Sequence, residues 1–425
     1  MRFADAMAEL EARQPEHMPR PDLDRMRALA RLLADPQLTY PTIHVTGTNG
    51  KTTTARLAAS IACAHGLSTG LFTSPHLASV TERFEICGEP IGEGAFGDEF
   101  EHLLSFLRTV DEQTGRVTYF EALTAFAYLW FADAPVGLGV FEVGMGGTWD
   151  ATNLVSGDVA VLCPVALDHP QLGSTIAQVA AEKAGIVKQG KAAVVREQPA
   201  EALTVIERRC DEQIATLLLE GREWALDDLT PAVGGLAMAV RGLHATYDEI
   251  VLPLYGDHAA HSAAAAVVAV EAMLERALDQ DAVRVALGSA TAPGRLEVVS
   301  RRPLVVLDGA HNPAAAEALA EALPDTFTWD RLHLVMGVFT DKDVDGIVRP
   351  LASLADAGYA AATGSVRARP PRDVAAAMAA GGLPTDAFAT VRDALDAALD
   401  AAAAGDLILV TGSLYTVADA RRALA

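Results

Sequence analysis

Short runs of Val, Leu, Ile and Ala alternate with longer stretches of helical period along nearly the whole chain. Runs at 42–46, 138–143, 159–167, 192–195, 304–307, 332–336 and 407–411 predict strands. Several are continuously apolar rather than alternating, as expected of strands covered on both faces. Between them, 51–65, 120–131, 176–187 and 314–323 carry helical spacing. Strand–helix alternation of this kind predicts an α/β protein with parallel sheets wound on both sides. The pattern breaks at Ala292-Pro293-Gly294, after which a second strand–loop–helix series begins. Two domains are therefore expected, a larger one over 1–290 and a smaller one over 291–425.

At 425 residues the chain exceeds what one core supports. Half of it is apolar and 21% is charged, a globular composition. The net charge of −23 excludes a basic nucleic-acid footprint. It also means that any anionic ligand must be drawn in by local cations and helix N-termini. The most apolar stretch, 259–273, is too short to span a bilayer and contains His261 and Glu271, so it reads as a core helix. Residues 1–20 lack the apolar segment of an export signal. Cys63, Cys87, Cys163 and Cys210 form no Cys-x-x-Cys pair and read mostly as small buried hydrophobes, implying a reducing cytoplasmic setting.

Candidate chemistry gathers where strands end. After the first strand come Gly47-Thr48-Asn49-Gly50-Lys51-Thr52-Thr53. The glycines let backbone N–H groups close on a phosphate, Lys51 adds a point charge, and Thr52 offers a hydroxyl to Mg²⁺. The usual phosphate-loop spacing asks for a glycine at position 45, where Val45 stands. Glu142 closes the next apolar run, and a carboxylate beside a phosphate loop can hold Mg²⁺. His169 follows Asp168 at a third strand end, with Lys183 on the helix beyond. Ser74, at another strand end, can ligate a cation or cap a turn. In the second series Asp308 and His311 share one loop, Asn312-Pro313 has the form of a helix cap, and Arg295 lies just past the seam. Two such clefts suggest a ligase, one domain holding ATP and the other bringing in a second substrate.

With these segments in hand, the chain resembles the folylpolyglutamate synthase/dihydrofolate synthase family within the Mur-type ATP-dependent amide ligases. The resemblance runs from about residue 29 to the C-terminus. It rests on the phosphate loop, Ser74-Pro75-His76-Leu77, the 118–121 segment, Glu142 with its glycines, Asp150 to Asn153 and Asp168-His169. Glu182-Lys183-Ala184-Gly185-Ile186, Pro293-Gly294-Arg295, the Asp308–His311 loop and Gly412-Ser413-Leu414-Tyr415 complete it. It implies a P-loop ATPase-like first domain of the Mur central-domain type and a smaller Rossmann-like second domain. ATP would convert a carboxylate of a pterin or folate substrate into an acyl phosphate, which the amine of L-glutamate then attacks. By the same resemblance Gly47 to Thr53, Arg295 and Asp308 bind ATP. Thr52, Ser74, Glu142 and His169 hold Mg²⁺, with a monovalent cation as a further candidate. Lys51, Lys183, Asp308 and His311 are catalytic, Lys183 as a carbamate. Phe120, Thr118, Asp150, Asn153, Ser413 and Tyr415 face the substrates. The implied protein works in the cytoplasm as a monomer, with no nucleic acid or membrane partner.

Four departures stand out. Lys51-Thr52-Thr53 replaces the family's Lys-Gly-Ser, and Thr148-Trp149 stands where an arginine is common. An adenine-side His-Gln-x-x-Asn-Ala element is here His258-Ala259-Ala260-His261-Ser262-Ala263, and the loop after His169 is one residue shorter. The alternatives are a muramyl-type amino-acid ligase, which the Lys-Thr-Thr spelling favours, and a nucleotide-binding relative without catalysis. The roughly forty residues before the phosphate loop leave no room for a uridine-nucleotide domain, which counts against the former.

Overall fold

The computed structural model describes residues 1–16, 18 and 22–424. Positions 17, 19 and 20 of the stretch read as lacking an export signal lie outside the described residues. The chain divides into two compact units: 1–230 with 237–252 and 260–290, and 231–236 with 253–259 and 291–425.

The first unit is built on an eight-stranded sheet. Its strands are β1 (Thr42–Thr46), β2 (Thr69–Phe72), β3 (Phe84–Ile86), β4 (Glu89–Pro90), β5 (Leu138–Glu142), β6 (Val159–Leu162), β7 (Ala192–Val195) and β8 (Thr216–Leu219), in the order β4-β3-β2-β5-β1-β6-β7-β8. The strands from β2 to β8 in that order pair in parallel, and β3 and β4 add an antiparallel edge. β1 lies at the centre, with Ile43 between Val140 and Val159. All five residues of β1 and of β5 are buried, although β1 alternates polar and apolar residues as Thr42-Ile43-His44-Val45-Thr46. Beside the sheet, Phe72, Phe84, Phe96, Phe126 and Phe141 interlock in tilted, edge-on and stacked contacts that anchor the core.

A three-stranded sheet follows, of β9 (Ala225–Ala232), β10 (Gly235–Arg241) and β11 (Thr246–Leu252), in the order β11-β10-β9. The second unit carries β12 (Glu297–Arg301), β13 (Leu304–Leu307), β14 (Leu332–Met336), β15 (Ala357–Ala361), β16 (Thr385–Phe388) and β17 (Leu407–Thr411). Their order is β12-β13-β17-β14-β15-β16, parallel except for β12.

The α/β architecture with mixed, mainly parallel sheets agrees with the sequence pattern, and so do most strand bounds. Three expectations are corrected. The strand expected over 159–167 stops at Leu162, because Pro164 has no N–H to donate and Thr48 and Gln198 take up the polar groups beyond it. The helix expected over 176–187 is α-helical only to Lys183 and tightens to a 3₁₀ turn over Ala184–Ile186. Cys63 and Cys87 form a disulfide, whereas Cys163 and Cys210 are buried thiols. Cys63 ends the helix Lys51–Ala64 and Cys87 turns the β3–β4 hairpin, so the fold joins residues that the spacing gave no reason to pair. The expected core helix is Asp257–Leu274. Among the described residues, no helix is long and apolar enough to cross a membrane.

Candidate active site

In the first unit the site grows from the carboxyl ends of β1, β5 and β6. Gly50 caps the helix Lys51–Ala64 with φ of +86°, a conformation that glycine adopts without strain. The turn it makes aims the first amides of that helix into the loop. Lys51 curls back over the loop, donating from Nζ to the carbonyls of Gly47 (3.1 Å) and Thr48 (3.2 Å). Thr48 fastens the loop to the segment after β6, its hydroxyl donating to the Ala166 carbonyl and accepting from the Ala166 N–H.

Glu142, the last residue of β5, is 1% exposed. Its Oε1 accepts from the Thr52 hydroxyl at 2.8 Å and its Oε2 from the Ser74 N–H at 3.1 Å. Three residues far apart in sequence therefore meet at one buried carboxylate. Lys183 is buried as well and donates from Nζ to the Gly47 carbonyl at 2.7 Å. Burial, reinforced by the Lys51 charge, pulls its pKa down to about 7, so much of the amine is neutral near neutral pH. His169 takes a positive φ of 55°, with Nε2 3.5 Å from Asp168 Oδ2. A small cleft is lined by Gly47, Lys51, Gly146, Asp168, His169 and Lys183 among others. The donor set of hydroxyls, carboxylates and one imidazole suits a hard divalent cation.

The other first-unit candidates form the walls. The Phe120 ring lies over Gly144, where a Cβ would come 2.5 Å from its Cζ, so only glycine admits the ring there. Thr118 caps the helix Tyr119–Asp133 in a reciprocal box with Glu121. Asp150 accepts from the Met145 and Thr152 N–H groups, and burial raises its pKa. Asn153 donates to the Thr148 and Gly185 carbonyls and accepts from Lys188. Asp150 and Asn153 shape the loop after β5, and Thr118 fixes the start of the helix that carries Phe120. Asn49 and Thr53 complete the phosphate loop and the first turn of its helix.

In the second unit, Asp308 is buried at the end of β13, accepting from the Leu296 N–H and the Ala310 N–H at 2.8 Å each. Arg295 Nη1 donates to the Gly294 carbonyl, and His311 Nδ1 lies 2.8 Å from the Gly309 carbonyl. Asn312 caps the helix Pro313–Thr326 through the Ala315 N–H. At the end of the neighbouring β17, Ser413 accepts from the Thr416 N–H at the start of the last helix. Tyr415 is 40% exposed, its ring edge-on to Phe339. Sequence reading set Asp168 beside His169 without giving it a role, and passed over Arg196 entirely. Arg196 directly follows β7, and its position at a strand end was the available signal.

The fold and these strand-end sites define a Mur-type ligase. Residues 45–270 match the Mur ligase middle domain and 294–414 the glutamate ligase domain of Mur ligases. The chain belongs to the dihydrofolate synthase/folylpolyglutamate synthase family, as its motifs led one to expect. It is 40% identical to the Mycobacterium tuberculosis dihydrofolate synthase/folylpolyglutamate synthase, over 97% of this chain and 92% of that protein. The Escherichia coli protein of the same name is 37% identical, over 89% and 86%. Among solved structures, M. tuberculosis folylpolyglutamate synthase complexed with ADP superposes with a TM-score of 0.94 at 38% identity, covering 99% of this chain and 97% of that one. E. coli FolC in complex with DHPP and ADP superposes with 0.90 at 33% identity, covering 100% and 98%.

Proposed function

We propose that this chain uses ATP to join L-glutamate to the carboxylate of a pterin-bearing acceptor, dihydropteroate, a tetrahydrofolate, or both. The observation that carries the reading is the buried Glu142 carboxylate, fixed by Thr52 and Ser74 beside a glycine loop that ends in Lys51. Residues 1–290 would form the ATP-binding domain and 291–425 the second ligase domain. The Gly47–Thr53 amides and Lys51 hold the triphosphate. An acceptor carboxylate oxygen attacks the γ-phosphorus, the bond from that phosphorus to the β,γ-bridging oxygen breaks, and ADP leaves. The glutamate amine then attacks the acyl carbon, the C–O bond to phosphate breaks, and the amine gives up a proton. Thr52, Ser74, Glu142 and His169 would hold Mg²⁺, which would supply positive charge to stabilise the transferring phosphoryl group.

Lys183, buried and part-neutral, is suited to add its amine to CO₂, forming an N–C bond and releasing a proton to leave a carbamate anion. Phe120, with Thr118 at the start of its helix, and the loop held by Asp150 and Asn153 would receive the pterin end. Arg295, Asp308 and His311 would serve the nucleotide and closure, with Ser413 and Tyr415 on the glutamate side. We read the working form as a cytoplasmic monomer on small-molecule substrates, although the Cys63–Cys87 disulfide argues against a strongly reducing compartment.

Phosphate release from Mg²⁺-ATP with L-glutamate tests the reading, with dihydropteroate and tetrahydrofolate compared as acceptors. Release with both acceptors marks a bifunctional enzyme, and release with one assigns the branch. Release with neither defeats the proposal.

A further inference from the structure

Behind the phosphate loop the first unit holds a charge that this chemistry does not use. Arg196 follows the last residue of β7, and β7, β6 and β1 are successive parallel neighbours. It therefore stands at the same carboxyl edge as the loop after β1. Its side chain is 8% exposed. Nη1 lies 3.4 Å from the hydroxyl of Ser262, on the helix Asp257–Leu274. The bare Cα of Gly50 makes the space: a Cβ there would come 3.2 Å from Ser262 Oγ and 3.5 Å from Arg196 Nη1.

The guanidinium is poorly paired for a group so buried. Its carboxylate neighbour is Glu220, with Oε2 3.8 Å from Nε. That carboxylate is already engaged, by His261 Nδ1 on Oε1 and by the Glu197 N–H on Oε2. The Arg196 Nε is buried without a hydrogen-bond partner. Among the described residues, five N–H donors thus share one long hydrogen bond and one loose ion pair. Burial accordingly lowers the pKa of the group despite Glu220. A largely buried, under-bonded guanidinium is unfavourable unless an anion completes it. Its planar fork matches phosphate oxygens, and an acidic chain must gather cations locally to hold a polyphosphate.

We propose that Arg196 is a nucleotide-binding residue, whose guanidinium takes a phosphate oxygen of the ATP or ADP held by the Gly47–Lys51 loop. Ser262 orients it and Gly50 leaves the gap through which it reaches. This rests on reading that loop as the ATP site. Dissociation constants for ADP by calorimetry, and for adenosine by competition, test it on the wild type, Arg196→Gln and Arg196→Lys, with unliganded Tm measured for each. Arg196→Gln should weaken ADP roughly ten- to hundredfold and leave adenosine within about twofold, and Arg196→Lys should recover part of the loss. Unchanged ADP affinity overturns the proposal, as does an equal loss for adenosine, which would signal a base contact or a merely structural role. If Arg196→Gln does not fold, Arg196→Lys carries the same test, with a several-fold loss confined to ADP. Wild-type protein that binds no ADP would instead defeat the ATP-site reading, and this proposal with it.

Discussion

In the first unit the charges are buried before any ligand arrives. Glu142 sits at the end of a fully buried strand, held by a hydroxyl and an amide, and Lys183 is sealed against the Gly47 carbonyl. In the second unit the buried Asp308 is occupied with two backbone amides, those of Leu296 and Ala310, while Tyr415 stands exposed. The first arrangement keeps electrostatic work pre-organised in a low-dielectric pocket, where charge stabilisation is strongest. The second fixes a loop and presents side chains for contact. Substitutions in the two units should therefore fail differently, the first in turnover with the fold intact, the second in stability or substrate affinity.

The largest effect is expected at Lys51. Lys51→Ala should cut kcat roughly a hundred- to thousandfold while leaving Tm nearly unchanged, because the side chain stabilises transferring charge and packs little. A folded variant with normal turnover would remove the first unit's claim to the chemistry.

Lys183→Ala should lose activity about as severely, and short carboxylates should restore part of it if a carbamate is the working group. Absence of a carbamate from the wild-type protein in high-resolution density would contradict this. Unmodified Lys183 also makes a signed pH prediction. Its folded pKa of about 7 lies below the ordinary lysine value of 10.5, so between those values the unfolded chain binds more protons. Stability therefore rises with pH across that window. The penalty of burying the charged amine is fully present below pH 7, so any gain from Lys183→Met should shrink from pH 7 towards pH 10 in denaturant titrations.

A smaller, different effect belongs to Asp308. Asp308→Ala leaves the Leu296 and Ala310 amides without their acceptor, which costs about 1–3 kcal/mol for each that stays buried and unpaired. Denaturant unfolding should report that loss. Unchanged stability would break the contrast between a loop-holding acid and a working one. Smallest is Tyr415→Ala, expected to raise KM for glutamate several-fold with kcat and Tm nearly kept. A collapse of kcat would move Tyr415 into the chemistry.

How much of this was legible depended on where residues lie. Lys51, Thr52, Glu142 and His169 could be read because each ends an apolar run or follows one across a glycine loop or turn, a local signal. The meeting of Thr52, Ser74 and Glu142 is set by the β2-β5-β1 order, which only motif resemblance could anticipate. β9 went unseen because its Ala225–Ala232 run is exposed and carries two aspartates and a proline, and β15 because Ala357–Ala361 is mostly alanine and glycine. The Cys63–Cys87 bridge depends on packing between distant elements, which no sequence spacing records; Arg196 does follow a strand end, but its neighbours Ser262 and Glu220 come from distant elements.

The account stands on one chemical event, transfer of the γ-phosphoryl group to the acceptor carboxylate in the first unit's cleft. The direct measurement is turnover with an acceptor labelled with ¹⁸O in both carboxylate oxygens, followed by mass analysis of the released phosphate. An acyl phosphate requires one ¹⁸O atom to appear in each phosphate formed. Phosphate free of ¹⁸O, with its fourth oxygen taken from solvent, would mean that water, and not the acceptor, attacks ATP, which contradicts an acyl-phosphate route.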